Sequence, residues 1–251
     1  MTSSAKRFHV VSCHVLWREL CYFAAQSPHV FTFDFLQQGL HNTPDVLRSE
    51  LQKAIDRAPG CDAILVGYGL CSNGIEGIVA RATPLVVVRA HDCITFLLGS
   101  KERYRSYFDA HPGTYWYSPG WIDVSLMPGR DRLDKVRAEY AEKFGEDNAD
   151  YLVEMEQGWL KKYSNAAYVD LGFGDNEHFK DFTRSCASYL GWACDVMQGS
   201  PALVCALLDG AWAPADFLVV KPGETIYATH DDAIVCARRA DQSPDQAQPA
   251  V

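Results

Sequence analysis

Four residues of this 251-residue chain combine metal-seeking side chains with positions just beyond strand ends: Cys13, Cys71, His91 and Cys93. Three thiolates and an imidazole form a tetrahedral donor set for Zn²⁺, and soft sulfur equally suits an iron–sulfur cluster. The spacing matches no ribbon or knuckle of the CxxC…CxxC kind, so the expectation depends on the fold gathering three separate loops. Cysteine is also among the most buried residue types, and with nine in the chain some will be neighbours by chance. For Cys21, Cys61, Cys186, Cys194, Cys205 and Cys236, within or just before helices and strands, burial is the reading adopted.

The elements that must position these groups alternate. Phe8–Cys13 is β-branched and reads as a strand, Leu16–Ala25 as a helix and Val30–Phe35 as a strand. Thr43-Pro44-Asp45 announces a helix whose apolar positions Val46, Leu47, Leu51, Ala54 and Ile55 follow helical spacing. Ala63–Gly67 is apolar throughout, as a strand covered on both faces should be. A glycine-rich turn and a short helix near Ile75–Arg81 follow, then a strand over Leu85–Arg89 and a helix over Thr95–Phe108. This β-α repetition predicts an α/β fold: an open parallel, flavodoxin- or Rossmann-like sheet in the first half. With strand order 2-1-3-4 the first, third and fourth strands are neighbours, and their carboxyl ends are where such sheets bind ligands.

The second half repeats the pattern more weakly. After a strand at Thr114–Tyr117, residues 130–163 read as two helices broken near Gly145, followed by strands at Ala167–Leu171, Ala193–Met197 and Phe217–Val220. Helices are expected over Asp175–Leu190 and Pro201–Leu208. The expected organisation is a parallel α/β lobe over 1–128 and a second, smaller α/β lobe over 129–238 packed on it. Residues 239–251 are polar and proline-containing, with a disordered tail expected.

Around the proposed centre, Glu19 lies two turns into the first helix and could reach the rim or orient a ligand, as carboxylates behind metal-bound histidines do. His41 and Asn42 follow the second strand and also approach the rim, although Asn42 and Thr43 suit helix capping. His14 is an alternative imidazole. Arg89, Asn73 and Trp121 are the groups assigned to holding a cofactor or ligand: Arg89 as a cation at a strand end, Asn73 in the turn after Cys71, and Trp121 in an aromatic run with Tyr115, Trp116 and Tyr117. Core packing is the competing role for the aromatic run.

A rival enzyme class is legible in Gly69-Leu70-Cys71-Ser72-Asn73-Gly74, which follows a buried strand. It resembles a nucleophile elbow, with Cys71 as a catalytic thiol above a helix N-terminus and His91 as base. Asn73 stands where the elbow needs glycine, and a lone nucleophile leaves Cys13 and Cys93 without a task.

The net charge of −9 argues against a nucleic-acid partner. No apolar run approaches a membrane span and none precedes the first strand, so a soluble, cytoplasmic protein without membrane contact is expected. An odd cysteine count without a secretory segment does not read as a disulfide framework.

The phrases HVVSCHVLWREL, QQGLHNTPDVLRSELQKAID, AILVGYGLCSNGIEGI, VVRAHDCITFLLGSKERY and GTYWYSPGW together resemble a bacterial and archaeal domain-of-unknown-function family, number 1638. The resemblance implies a family often encoded beside corrinoid-dependent methyltransferases and their corrinoid proteins. The resemblance therefore implies a role in one-carbon transfer, with a corrinoid protein or corrinoid methyltransferase as partner and a small-molecule substrate. On that basis the chain is expected to be a metal-dependent methyltransferase, its activator, or a non-enzymatic partner or chaperone of one. His14 and Ser72 stand where relatives carry glycine after the cysteine, which alters the two loops but leaves the thiols in place.

Overall fold

A computed structural model of the chain describes residues 4–239. The tail expected from residue 239 lies, from 240 onward, outside the described residues. Two compact units form: residues up to Arg103 together with those from Ser200, and Tyr104–Gly199.

In the first unit β1 (Arg7–Cys13), α1 (Trp17–Ala24), β2 (Val30–Leu36), α2 (Pro44–Arg57), β3 (Ala63–Gly67) and β4 (Leu85–Val88) follow in order. The strands pair in parallel in the order β2-β1-β3-β4, the flavodoxin-like arrangement. β3 and β4 are buried at every residue, which is why their sequences carry no polar alternation. On α2 the buried stripe is Leu47, Leu51, Ala54 and Ile55, while Val46 is exposed. Thr43 caps this helix through its carbonyl, which accepts the Val46 and Leu47 N–H groups at 2.9 and 3.1 Å.

The connection from β3 to β4 departs from the expected helix. Residues 71–77 form turns, and Ile78–Ala80 run extended. Their backbone groups find partners on α2 and on a later segment, while α3 (Ile94–Leu98) and α4 (Lys101–Ala110) follow β4. Ala80 donates to the Glu224 carbonyl at 2.9 Å, Ile78 accepts from Ile226 at 2.9 Å, and the Gln52 side chain bonds both backbone groups of Val79. Short apolar runs fit either period, and here the available partner strand decides. The helix expected over Thr95–Phe108 divides into α3 and α4 at Gly99, whose φ of 75° ends the first and whose missing Cβ leaves room for the Ser200 backbone.

The second unit contains β5 (Thr114–Tyr117), α5 (Pro119–Val124), α6 (Arg130–Phe144), α7 (Glu146–Glu156), β6 (Asn165–Asp170), α8 (Glu177–Leu190) and β7 (Ala193–Gln198). Its three strands form a parallel sheet in the order β5-β6-β7. Tyr117, Tyr168, Phe179 and Cys186 centre its core.

From Ser200 the chain returns to the first unit. There α9 (Ala202–Leu208) precedes β8 (Phe217–Val220), which pairs antiparallel with β4 and completes a five-stranded sheet. β9 (Glu224–Ala228) and β10 (Val235–Arg239) form a hairpin. The first unit is thus discontinuous in sequence, and the apolar β8 covers the edge that β4 would otherwise expose. No helix among the described residues is long and apolar enough to cross a membrane.

Candidate metal centre

Hydrogen bonding and close packing bind the carboxyl ends of β1, β3 and β4 together. Ser12 lies opposite Gly67, and its hydroxyl donates to the carbonyls of Gly67 and Cys13 at 3.0 and 3.1 Å. Beyond β3, Leu70 N–H donates to the Ala90 carbonyl at 2.7 Å and Cys71 N–H to the His91 carbonyl at 2.8 Å. A methyl group on Gly69 would stand 2.7 Å from the Asp92 nitrogen and 2.8 Å from the Ala90 carbonyl oxygen. Those neighbours are backbone and cannot rotate away. Gly69→Ala is therefore expected to lower unfolding free energy by about 2–3 kcal/mol in urea titrations, the cost of overpacking.

This zipping brings the loops that carry three thiols alongside one another. Cys13 and Cys93 are 5% and 9% exposed, and Cys71 is partly exposed as a residue while its thiol is enclosed. Each lies within electrostatic reach of the others. Burial pushes the Cys93 thiol up well above its ordinary range, and Cys13, Asp92 and Cys71 add to it. Burial, then Asp92 and Cys13, do the same to Cys71. Cys13 is raised by burial and partly relieved by the Val15 and His14 backbone and the Tyr68 hydroxyl.

Tyr68 joins the three. It is 2% exposed, and its hydroxyl has no well-formed hydrogen bond among the described residues although it lies beside the Cys13 sulfur. Burial, followed by the charges of Cys13, Cys71 and Cys93, moves its ionisation far above the usual phenol range. It stays protonated at neutral pH, so its hydroxyl keeps a proton to donate.

The loop carrying Cys71 is strained. Cys71, Ser72 and Asn73 take φ of 46, 57 and 65°, three successive left-handed residues without a glycine. Each costs about 1–2 kcal/mol for an L-residue, somewhat less for Asn. The conformation is held by Cys71 N–H on the His91 carbonyl, by Gly74 N–H on the Cys71 carbonyl at 3.0 Å, and by Arg48, which bonds the carbonyls of Asn73 and Glu76. Ser72→Gly, ordinarily destabilising, is expected to stabilise the metal-free protein by about 0.5–1 kcal/mol in the same titrations. Strain of this kind gathers at functional sites.

Residues 35–208 match the family described as "Protein of unknown function (DUF1638)". The chain belongs to this family. Neither the curated proteins nor the solved structures yield a match. The DUF1638 span contains Tyr68, Cys71 and Cys93, while Cys13 and β1 lie before it.

Not every group expected at this DUF1638 rim is found there. The His91 imidazole is exposed, and it is the carbonyl of this residue that engages Cys71. Arg89 is already engaged, its guanidinium donating to the carbonyls of Pro214, Ala233 and Val235, so it serves the β8–β10 return rather than an anion. Asn73 is exposed and takes part through its carbonyl. Trp121 packs against the core of the second unit. Glu19 is fully buried on α1, and its charge acts on Cys21. His14 stacks on Phe35 with ring centroids 5.8 Å apart.

Two features of the nucleophile elbow are missing: the residues after Cys71 form turns rather than a helix, and its thiol stays protonated at neutral pH. Tyr68 and Asp92 were not among the residues assigned to the centre from sequence. A tyrosine directly after a buried strand and before a glycine-rich turn is the signal that could have marked the first. Among the described residues no group of three or more His, Cys, Asp or Glu side chains forms a ready-made ion site.

Proposed function

We propose that this rim holds a soft metal ion on Cys13, Cys71 and Cys93, zinc ahead of an iron–sulfur cluster, and that the centre serves corrinoid-linked methyl transfer. The observation that carries the metal reading is the buried Tyr68 hydroxyl, lacking a well-formed bond among the described residues while the three thiols act on it together. Buried thiols that raise one another are poor neighbours as thiolates, and a divalent cation removes that penalty. The donor set fits the ion's preference for sulfur.

The residues divide the work. Cys13, Cys71 and Cys93, whose thiols are all enclosed, would hold the ion together. Tyr68 donates its retained proton to sulfur, spreading negative charge without adding any. When bound, zinc supplies Lewis acidity and keeps thiols deprotonated at neutral pH, which is what methyl transfer to sulfur requires. The corrinoid link rests on the family resemblance, and a corrinoid protein or methyltransferase is the partner it implies.

Elemental analysis with an ultraviolet–visible spectrum of anaerobically purified full-length protein tests the metal reading. About one zinc per chain and no visible band is the expected result; a brown protein with iron and sulfide points to the cluster. Metal-free protein that takes up neither zinc nor iron overturns the proposal. The partner is tested separately by pull-down with a corrinoid protein, where clean failure at micromolar concentrations counts against it.

A further inference from the structure

We infer that the outer edge of β2 is an interface with a second copy of this chain, the two β2 strands pairing antiparallel about Phe33. The inference is independent of the metal reading above.

β2 ends the five-stranded sheet and pairs only with β1. Val30 N–H donates to the Lys6 carbonyl at 2.9 Å, so the backbone of Val30 faces β1. Backbone groups alternate along a strand, which turns the N–H and carbonyl of Phe31, Phe33 and Phe35 outward. None of these six groups is paired among the described residues. Edge strands are ordinarily guarded by lysine, proline or a bulge. Val30–Leu36 contains neither residue, and its register with β1 runs unbroken through all seven positions. Its one charge, Asp34, faces Arg57 at 3.7 Å and His9 at 3.8 Å.

The strand is complementary to itself. About a two-fold axis at Phe33, the Phe33 pair exchanges two hydrogen bonds and the two Phe31–Phe35 pairs exchange the rest, so every outward group is satisfied. The half-buried rings of Phe31, Phe33 and Phe35 stack 6.1 and 5.5 Å apart on one face, and the pairing continues that row into the second copy. On the other face each Asp34 stands opposite the second copy's Thr32. The Thr32 hydroxyl bonds His9 Nδ1 at 2.7 Å, and with His9 as donor its own proton is left for the facing carboxylate. The two Asp34 Cα atoms stand roughly 8 Å apart, and each carboxylate has its own Arg57. Moving the axis to Asp34 would set the carboxylates face to face, and moving it to Thr32 would carry Phe35 past the end of the partner strand. Residues 240–251 suit this edge poorly as an alternative occupant, since ADQSPDQAQPAV has one β-branched residue and two prolines, which cannot donate to a ladder.

Analytical ultracentrifugation of the full-length protein from about 1 to 100 μM tests the inference, with twice the 28.0 kDa chain mass expected at the upper end. Phe33→Lys and Phe33→Glu, each repelling its own copy, are expected to sediment as single chains. An equimolar mixture of the two should recover the dimer, a rescue that a folding defect would not show. In wild type, hydrogen exchange at the Phe31, Phe33 and Phe35 amides should slow by about tenfold or more between the lowest and highest concentrations. The inference is overturned by wild type that stays a single chain throughout, including one that pairs only once residues 240–251 are removed. A dimer that persists in both variants, a mixture that stays monomeric, or exchange at those three amides that ignores concentration overturns it equally.

Discussion

Serine at Cys13, Cys71 or Cys93 is expected to lower zinc affinity by more than about 100-fold, whereas serine at Cys21, Cys61, Cys194 or Cys205 leaves it within about twofold. The asymmetry follows from placement. The first three thiols lie at or beyond the carboxyl ends of three adjacent strands of one sheet and act on one another electrostatically. The other four respond to burial and to nearby charged side chains or backbone, with none of the rim thiols among their neighbours. Each ligand removed also leaves the remaining thiolates less neutralised in a buried site, so a single loss costs far more than one bond in water. Chelator competition on each variant, with circular dichroism to confirm folding, reads the effect. Two of the three rim variants retaining full affinity would contradict the assignment.

The second large effect is on alkaline stability. Folding raises the Cys13, Cys71 and Cys93 thiols above the ordinary value of 9.0. Their contribution is complete below that pH, where folded and unfolded chains both hold the protons. Above it the unfolded chain releases them and the folded one does not, so stability falls as pH rises. Each fully retained proton contributes a slope of about 1.4 kcal/mol per pH unit. Metal-free protein is therefore expected to weaken steeply between pH 9 and 11 in urea titrations. Cys93→Ser, with no proton to lose there, should remove about 1.4 kcal/mol per unit of that slope. Zinc should abolish the loss, since the ion binds thiolates and high pH favours them. An equal slope in wild type and Cys93→Ser would show that the thiol is not enclosed as described.

The parallel core was legible because its strands are apolar from end to end and its helices carry helical spacing. β3 and β4, with no exposed residue, leave little else for those segments to be. The return of β8 to the first sheet was not legible, because FLVV says that a strand will be buried but not which edge will accept it. Ile75–Arg81 read as helix for a related reason: its apolar residues suit either period, and its partners on β9 lie about 150 positions further along the chain.

At the site, the rule that ligands gather beyond strand carboxyl ends was enough to select the three cysteines. It did not show that His91 stands exposed, which packing alone decides. Tyr68 escaped because a phenol is not a usual ligand type. The left-handed run at Cys71–Asn73 escaped because only Asn73 favours that conformation by itself.

X-ray absorption at the zinc edge of the loaded full-length protein tests most directly whether three loops share one ion. The expected spectrum has three sulfur neighbours at about 2.3 Å and one nitrogen at about 2.0 Å. A shell made of nitrogen and oxygen alone, or containing a single sulfur, would contradict the convergence of Cys13, Cys71 and Cys93 on a common centre.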